Sequence, residues 1–427
     1  MRIHDYLPGQ ANYNLGEYPL FVSAAPTDYD RELIPRLAKM GVQILQVHEE
    51  WNDPMRFHGA DKYSSPDPAG MKAFIRLCHE NNIRVLAYVS SGYFAKTDPD
   101  YRPEFSSKDF SWKFNCYDYT EGCHASAAWR AYVLPRTLNV MDEYGFDGIY
   151  NDWGYDGYDQ ADPTGDCRLP EGFVDPLAED FLAQIYSEVK KRGGIYKMHC
   201  DRNNAPPCKS KVCDYLWIGE FAQSAPGTGK HFLPYVVPCQ DRHFDASRHL
   251  SDYLALTVPF MQFPLLKTGR PILGNCGHVP GVTYYGGDEQ AFYEAVGRYM
   301  QAHPDGPFVY SLWSSIPDEP DEWTTWENAM ALYAPMTKEN TAAYIELREC
   351  PAILSPIPER VYASVFVNEN VYLVLSNLTE APYTLILAEP WRDRETGKTG
   401  RQFTVPQGKL LYLLKESVQN GENIAEK

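Results

Sequence analysis

The chain has 427 residues, a formal charge of −18 and an apolar share of 44%. That length exceeds one small domain and suits a large barrel with a modest second domain, while no apolar run approaches the roughly 18 to 20 residues of a membrane helix. So acidic a chain repels phosphate backbones and anionic lipid surfaces, which excludes nucleic acid and membrane as expected partners.

The opening residues, MRIHDYLPGQ, lack the basic start, apolar core and cleavage site of a secretion signal, so a cytoplasmic location is the default expectation. Ten cysteines are scattered without repeat spacing and are expected as free thiols. YPLFVSAA, residues 18–25, reads as a first strand ending at Pro26 and Asp28. A helix follows in which Leu33, Ile34, Leu37 and Met40 recur at helical spacing until Gly41 stops it. VQILQVH, residues 42–48, is an unbroken apolar-rich strand of the kind buried on both faces, leading into Glu49, Glu50 and Trp51. Asp67 and Pro68 make a cap followed by proline in the first helical position, and Met71, Phe74, Ile75 and Cys78 form the buried stripe of that helix.

RVLAYVS, residues 84–90, is a third strand, followed by a long aromatic loop with Tyr93 and Trp112, suited to the wall of a binding cleft. A helix from about Ala125 to Tyr144, with a kink expected at Pro135, leads into GFDGIYNDWGYDG, residues 145–157. There a short apolar run ends in Asp152 beside Trp153, making a fourth strand. Asp175 and Pro176 start another helix, with Leu177, Phe181, Ile185 and Val189 on one face. GIYKMHCD (194–201) and DYLWIGE (214–220) read as fifth and sixth strands, LALTVPFMQFPLL (254–266) as a helix end or seventh strand, and FVYSLW (308–313) as the eighth. Strand and helix alternating to eight units predict an α/β fold, a (β/α)8 TIM-type barrel. From Thr341 the texture changes to period-two strands, VYASVFV, VYLVLSN, YTLILAE and KLLYLLK, with polar turns between them, which predict a small C-terminal antiparallel β-sandwich. The expected division is 1–335 barrel, 336–416 sandwich and 417–427 polar tail.

In such a barrel, functional side chains leave the carboxyl ends of the strands. Those ends supply His48, Glu49, Ser90, Asp152, His199, Asp201, Glu220 and Trp313. Asp152 and Glu220 each follow an apolar strand and stand near an aromatic, Tyr150 and Trp217. A glycosidase needs such a pair: one ionised carboxylate to attack the anomeric carbon and one protonated carboxyl to serve the leaving oxygen. The bland alternatives are a helix cap or ion pair for Asp152 and a salt bridge to Arg202 or Lys230 for Glu220. Asp201 is the second candidate for acid/base. Asp147 and Asp214 begin their strands and belong to the opposite, stabilising end. Trp51, Tyr93, Trp112, Trp153, Trp217 and Trp313 are candidate sugar-stacking rings, with His199 and Asp201 as candidate hydroxyl binders.

The combination of GFDGIYNDW after a helix, a carboxylate ending the sixth strand and a C-terminal sandwich containing VLSNLTEAPYTL resembles the (β/α)8 retaining α-glycosidases of the broad α-galactosidase-like superfamily. The resemblance spans about residues 18–416 and implies hydrolysis of an α-linked glycoside with retention. It also implies that the nucleophile, an aspartate ending strand four, is Asp152, and that the acid/base ending strand six is Glu220. Tyr150 stands where those enzymes carry a lysine, and Glu220 where they carry aspartate. The layout is also similar to endo-acting α-N-acetylgalactosaminidases, whose acid is a glutamate.

Two rivals come from other classes. His199, Cys200, Asp201, Cys208, Cys213 and His278 hold residue types that bind zinc, so a metal-dependent hydrolase using His199 and Asp201 is one, although no CxxC or HExxH spacing occurs. A carbohydrate-binding barrel without turnover is the other. No phosphate cradle or dinucleotide fingerprint is present, and the expectation is a glycosidase with no cofactor and no metal, acting on a carbohydrate.

Overall fold

The computed structural model describes residues 1–15, 23–47, 51, 63–65, 67–96, 98–105, 112–114, 117–121, 126–152, 176–200, 211–218, 233–238, 250–270, 302 and 320–416. Eight strands form one parallel sheet: β1 (Gln10–Asn14), β2 (Ile44–Val47), β3 (Arg84–Ser90), β4 (Gly148–Asp152), β5 (Ile195–Cys200), β6 (Tyr215–Ile218), β7 (Val236–Pro238) and β8 (Leu266–Gly269). They lie in the order β7-β6-β5-β4-β3-β2-β1-β8. The two ends meet where the Leu265 amide donates to the Pro238 carbonyl at 2.9 Å, which closes the sheet into a barrel.

The helices α1 (Asp28–Met40), α2 (Pro68–Glu80), α3 (Ala127–Tyr144), α4 (Pro176–Lys191), α5 (Leu250–Thr257) and α6 (Pro320–Tyr333) follow from local chemistry. In α1, Thr27 and Asp30 make a reciprocal capping box, and Gly41 ends the helix in the left-handed region at φ 102. In α2, Asp67 accepts from the Gly70 amide at 2.9 Å ahead of Pro68, and Met71, Phe74, Ile75 and Cys78 are buried as their spacing requires. Ser126 caps α3, which runs through Pro135 as one helix. In α4, Phe181, Ile185 and Val189 are buried.

Three strand assignments are corrected. The barrel opens with QANYN, residues 10–14, rather than with 18–25, of which 18–22 lie outside the described residues and 23–25 are not strand. This first strand alternates polar with apolar residues because Gln10, Asn12 and Asn14 share a face, and a polar face turned into a barrel has no exposed-surface signature. The seventh strand is the three-residue VVP, too short to register as a period. Within 254–266 the chain is helix, then a 3-10 turn at Val258–Phe260, with β8 beginning at Leu266. Residues 308–313 lie outside the described residues.

The C-terminal strands β9 (Ala342–Tyr344), β10 (Val361–Val367), β11 (Val371–Asn377), β12 (Tyr383–Asp393), β13 (Thr399–Val405) and β14 (Lys409–Lys415) form an antiparallel sheet in the order β9-β10-β11-β14-β12-β13. Period-two alternation gives it two apolar faces. Val361, Ala363, Leu373, Leu375, Leu411 and Leu413 form a core of their own with Leu385, Leu387, Trp391 and Phe403. This is the sandwich interior, and β12, which contributes to it, shifts register between Ile386 and Trp391. The alternate residues Phe366, Tyr372, Val374 and Tyr412 join the barrel's core instead. Ser364 donates to the Pro259 carbonyl and Tyr362 packs on Phe260 at 5.1 Å, so the sheet is docked on the turn before β8.

Among the described residues no helix is long and apolar enough to cross a membrane. Cys78 and Cys350 are free thiols, and Cys213 is buried.

Candidate active site

Register decides which strand residues share the barrel interior. Ser90 on β3 is the partner of Asp152 on β4, and His199 on β5 that of Trp217 on β6. One row nearer the barrel floor, Tyr88, Tyr150, Lys197 and Tyr215 are partners in turn across β3, β4, β5 and β6. Gly148 begins β4 where a Cβ would stand 2.0 Å from the Ile195 carbonyl oxygen, so only glycine permits this approach of β4 to β5.

Asp152 lies at the carboxyl end of β4, 9% exposed. The Tyr88 hydroxyl donates to its Oδ2 at 2.5 Å, and its Oδ1 lies 2.7 Å from His199 Nδ1. The Tyr88 bond meets hydrogen-bond geometry, whereas the His199 contact is one of proximity only, outside that geometry. The Tyr88 donor on Oδ2 favours the charged form and helps to fix the carboxylate plane. His199 is itself packed against Trp217, ring centroids 4.6 Å apart, and Trp217 meets Tyr150 edge-on at 5.3 Å.

The neighbouring residue faces the other way and locks the strand. Asn151 accepts from the Ser91 amide at 2.9 Å and donates to Ser91 Oγ at 2.8 Å and to the Tyr196 hydroxyl at 2.7 Å. These buried bonds tie β4 to both neighbours one residue from Asp152, which keeps the carboxylate from sliding along the barrel axis.

The opposite end of the barrel holds acids of a different kind. Asp147 accepts from the Val85 amide at 2.8 Å and pairs with His79 at 2.7 Å. Asp214 accepts from the Tyr196 amide at 3.0 Å and from Lys190 at 2.9 Å. Both staple strand starts.

Of the sequence-predicted site residues, the structure brings together Asp152, His199 and Trp217. Trp51 is not a stacking ring: it is fully buried, donates to the Tyr88 carbonyl at 2.8 Å and packs edge-on against Tyr144 and Phe146. It belongs to the core between sheet and α3, because its indole N–H found a carbonyl there. Trp217, 2% exposed, offers no free face either and serves as the wall behind His199. Tyr93 and Trp112 lie in a small antiparallel sheet of Tyr93–Ala95, Trp112–Phe114 and Tyr117–Glu121, where only the backbone is described. Glu220, Asp201, Trp153 and Trp313 lie outside the described residues. Among the described residues no cluster of three His, Cys, Asp or Glu is grouped for a metal, and Asp201, which a metal site would need, is outside them.

No family model and no curated protein matches the chain. Solved structures match over nearly its whole length. A maltogenic α-amylase from Thermotoga neapolitana is 14% identical at a TM-score of 0.58, covering 96% of this chain and 99% of its own. The trehalose-6-phosphate hydrolase of Bacillus licheniformis is 13% identical at 0.57, covering 97% and 100%. An α-amylase from Geobacillus thermoleovorans, solved with acarbose, is 9% identical at 0.58, covering 97% and 100%. The fold is that of the α-amylases. At these identities the likeness carries the (β/α)8 barrel with its C-terminal sandwich, a fold of retaining glycosidases. The narrower resemblance to α-galactosidases has no counterpart among the three.

Tyr88 and Lys197 escaped the sequence reading, which took only strand ends. The signal was parity: Tyr88 is two residues before Ser90, and Lys197 two before His199, so each shares an inner face with a residue already singled out.

Proposed function

We propose that this protein is a glycoside hydrolase acting on an α-linked sugar with retention of anomeric configuration. The observation that carries the reading is the Asp152 carboxylate, held between the Tyr88 hydroxyl and His199 Nδ1 at the carboxyl end of the fourth barrel strand. In this reading Asp152 attacks the anomeric carbon. The C1–O bond breaks as a glycosyl ester forms, and a second carboxyl group, assigned to Glu220, gives its proton to the leaving oxygen and then takes one from the water that hydrolyses the ester. The pre-set orientation of Asp152 removes rotational freedom that attack would otherwise have to overcome. The bound carbohydrates in the neighbours' crystals, acarbose among them, support a sugar as substrate.

The test is a panel of 4-nitrophenyl α- and β-glycosides assayed with the wild type and Asp152→Asn, product anomers being read early by NMR. The expected result is turnover of an α-glycoside with retained anomer, lost in the variant. Turnover equal to wild type in Asp152→Asn removes the nucleophile assignment, and an inverted product removes the covalent intermediate. Activity abolished by a chelator and restored by zinc would favour the metal-dependent rival.

A further inference from the structure

Lys197 stands on the inner face of β5, two residues before His199, and is fully buried. Its strand partners are Tyr150 on β4 and Tyr215 on β6, and its Nζ lies 5.8 Å from the centroid of the Tyr150 ring. The Tyr150 ring in turn packs on the Tyr88 ring at 5.7 Å, and the Tyr88 hydroxyl reaches Asp152. Burial opposes an ammonium charge, so a lysine kept there as a cation must draw on nearby negative potential, part of which the π face of Tyr150 supplies. Among the described residues on the registered inner wall, Arg84 and Tyr88 on β3, Tyr150 on β4, His199 on β5, Tyr215 on β6 and Lys267 on β8 are the other groups that titrate, and Asp152 is the single carboxylate. One row of side chains separates cation from carboxylate, in an interior where charges are weakly screened.

We propose that Lys197 is a positioning residue for Asp152: its ammonium, seated beneath the Tyr150 ring, holds the carboxylate at the barrel mouth in its ionised, attacking form. This role rests on the reading of Asp152 as nucleophile. It makes the cation part of the barrel wall, beneath the sugar site instead of in contact with the sugar.

The test compares Lys197→Met and Lys197→Arg with the wild type in the pH dependence of kcat/KM, using the 4-nitrophenyl α-glycoside that the wild type turns over fastest. Loss of the cation makes the carboxylate harder to ionise, so in Lys197→Met the acid limb moves up by about one pH unit, with kcat falling and KM nearly unchanged. Lys197→Arg restores the limb. A folded Lys197→Met whose acid limb stays at the wild-type position overturns the proposal. Should Lys197→Met not fold, the charge is read in the wild type by NMR of 15N-lysine-labelled protein, assigned against Lys197→Arg. A protonated Nζ at pH 7 supports the role and a neutral amine overturns it, with no substrate needed. An unmoved limb alongside an inactive Asp152→Asn removes only the role of Lys197, whereas an active Asp152→Asn removes the nucleophile reading beneath it.

Discussion

Two buried aspartates show what separates a structural acid from a reactive one. Asp30, at the start of α1, meets Arg270 just past β8, with guanidinium contacts from Nη2 at 2.7 Å and from Nε at 3.1 Å. The Tyr13 hydroxyl adds a bond at 2.5 Å, and the other Arg270 donors are taken by the carbonyls of Leu15, Ser23 and Ala25. Burial pushes the Asp30 carboxyl up, but the Arg270 guanidinium and Tyr13 outweigh it and hold the carboxyl below the usual range. The same site pushes the Tyr13 phenol well up, by burial first and the Asp30 charge second, so it remains a donor. Asp152 sits at the barrel mouth, where the Tyr88 hydroxyl and the His199 imidazole are its neighbours among the described residues. The first acid is saturated by a cation that touches it and closes the seam between the last strand and the first helix. The second is oriented by the Tyr88 hydroxyl at the carboxyl end of its strand.

That contrast predicts effects of different kind at the two sites. Asp152→Asn is expected to lower kcat/KM by on the order of 10⁴-fold, about 5.5 kcal/mol of transition-state stabilisation, with little change in the unfolding midpoint; a comparable loss of stability would break the distinction. Arg270→Met leaves a buried carboxylate uncompensated and is expected to cost about 3 to 5 kcal/mol of stability, measured by denaturant unfolding. Much of that loss should return in Asp30→Leu/Arg270→Met. Tyr88→Phe removes one donor to a charged group, for which about 1.5 to 3 kcal/mol is typical. It is expected to lower kcat/KM by roughly 10- to 100-fold while leaving the melting temperature within a few degrees of wild type, and an unaltered rate would mean the bond does nothing for Asp152.

The smallest effect is on pH. Because the folded-state carboxyl of Asp30 is lowered, its contribution to stability is present above the unfolded value of about 4 and is lost as pH falls through the lower folded value. Wild-type stability should therefore decline on acidification below about pH 4 more steeply than that of Asp30→Leu/Arg270→Met. Parallel profiles would show that Asp30 titrates alike in both states.

The parts of the molecule that were legible beforehand are those whose signal is local. The stripe Met71, Phe74, Ile75 and Cys78 and its Asp67 cap are where their spacing put them, and VYASVFV, VYLVLSN and KLLYLLK are strands residue for residue. Asp152 falls at the end of a strand whether the barrel is counted from residue 18 or from residue 10, since each count reaches β4 as the fourth. Trp51 went astray because a tryptophan beside a strand end has the same local sequence whether it faces sugar or core. What separates the cases is the Tyr88 carbonyl, 37 residues away in the chain, which receives its indole proton.

The sequence by itself determined the alternation of strands and helices, the helix caps, the two-faced C-terminal sheet and the placing of an acid after the fourth strand, because each depends on neighbours a few positions apart. Only the tertiary structure decided that Gln10–Asn14 opens the barrel, that Arg270 ties its last strand to α1 through Asp30, and that Tyr88, His199 and Lys197 share the interior with Asp152. Those pairings follow from strand register and barrel closure, which bring together residues tens to hundreds of positions apart. No local pattern of side chains carries that register.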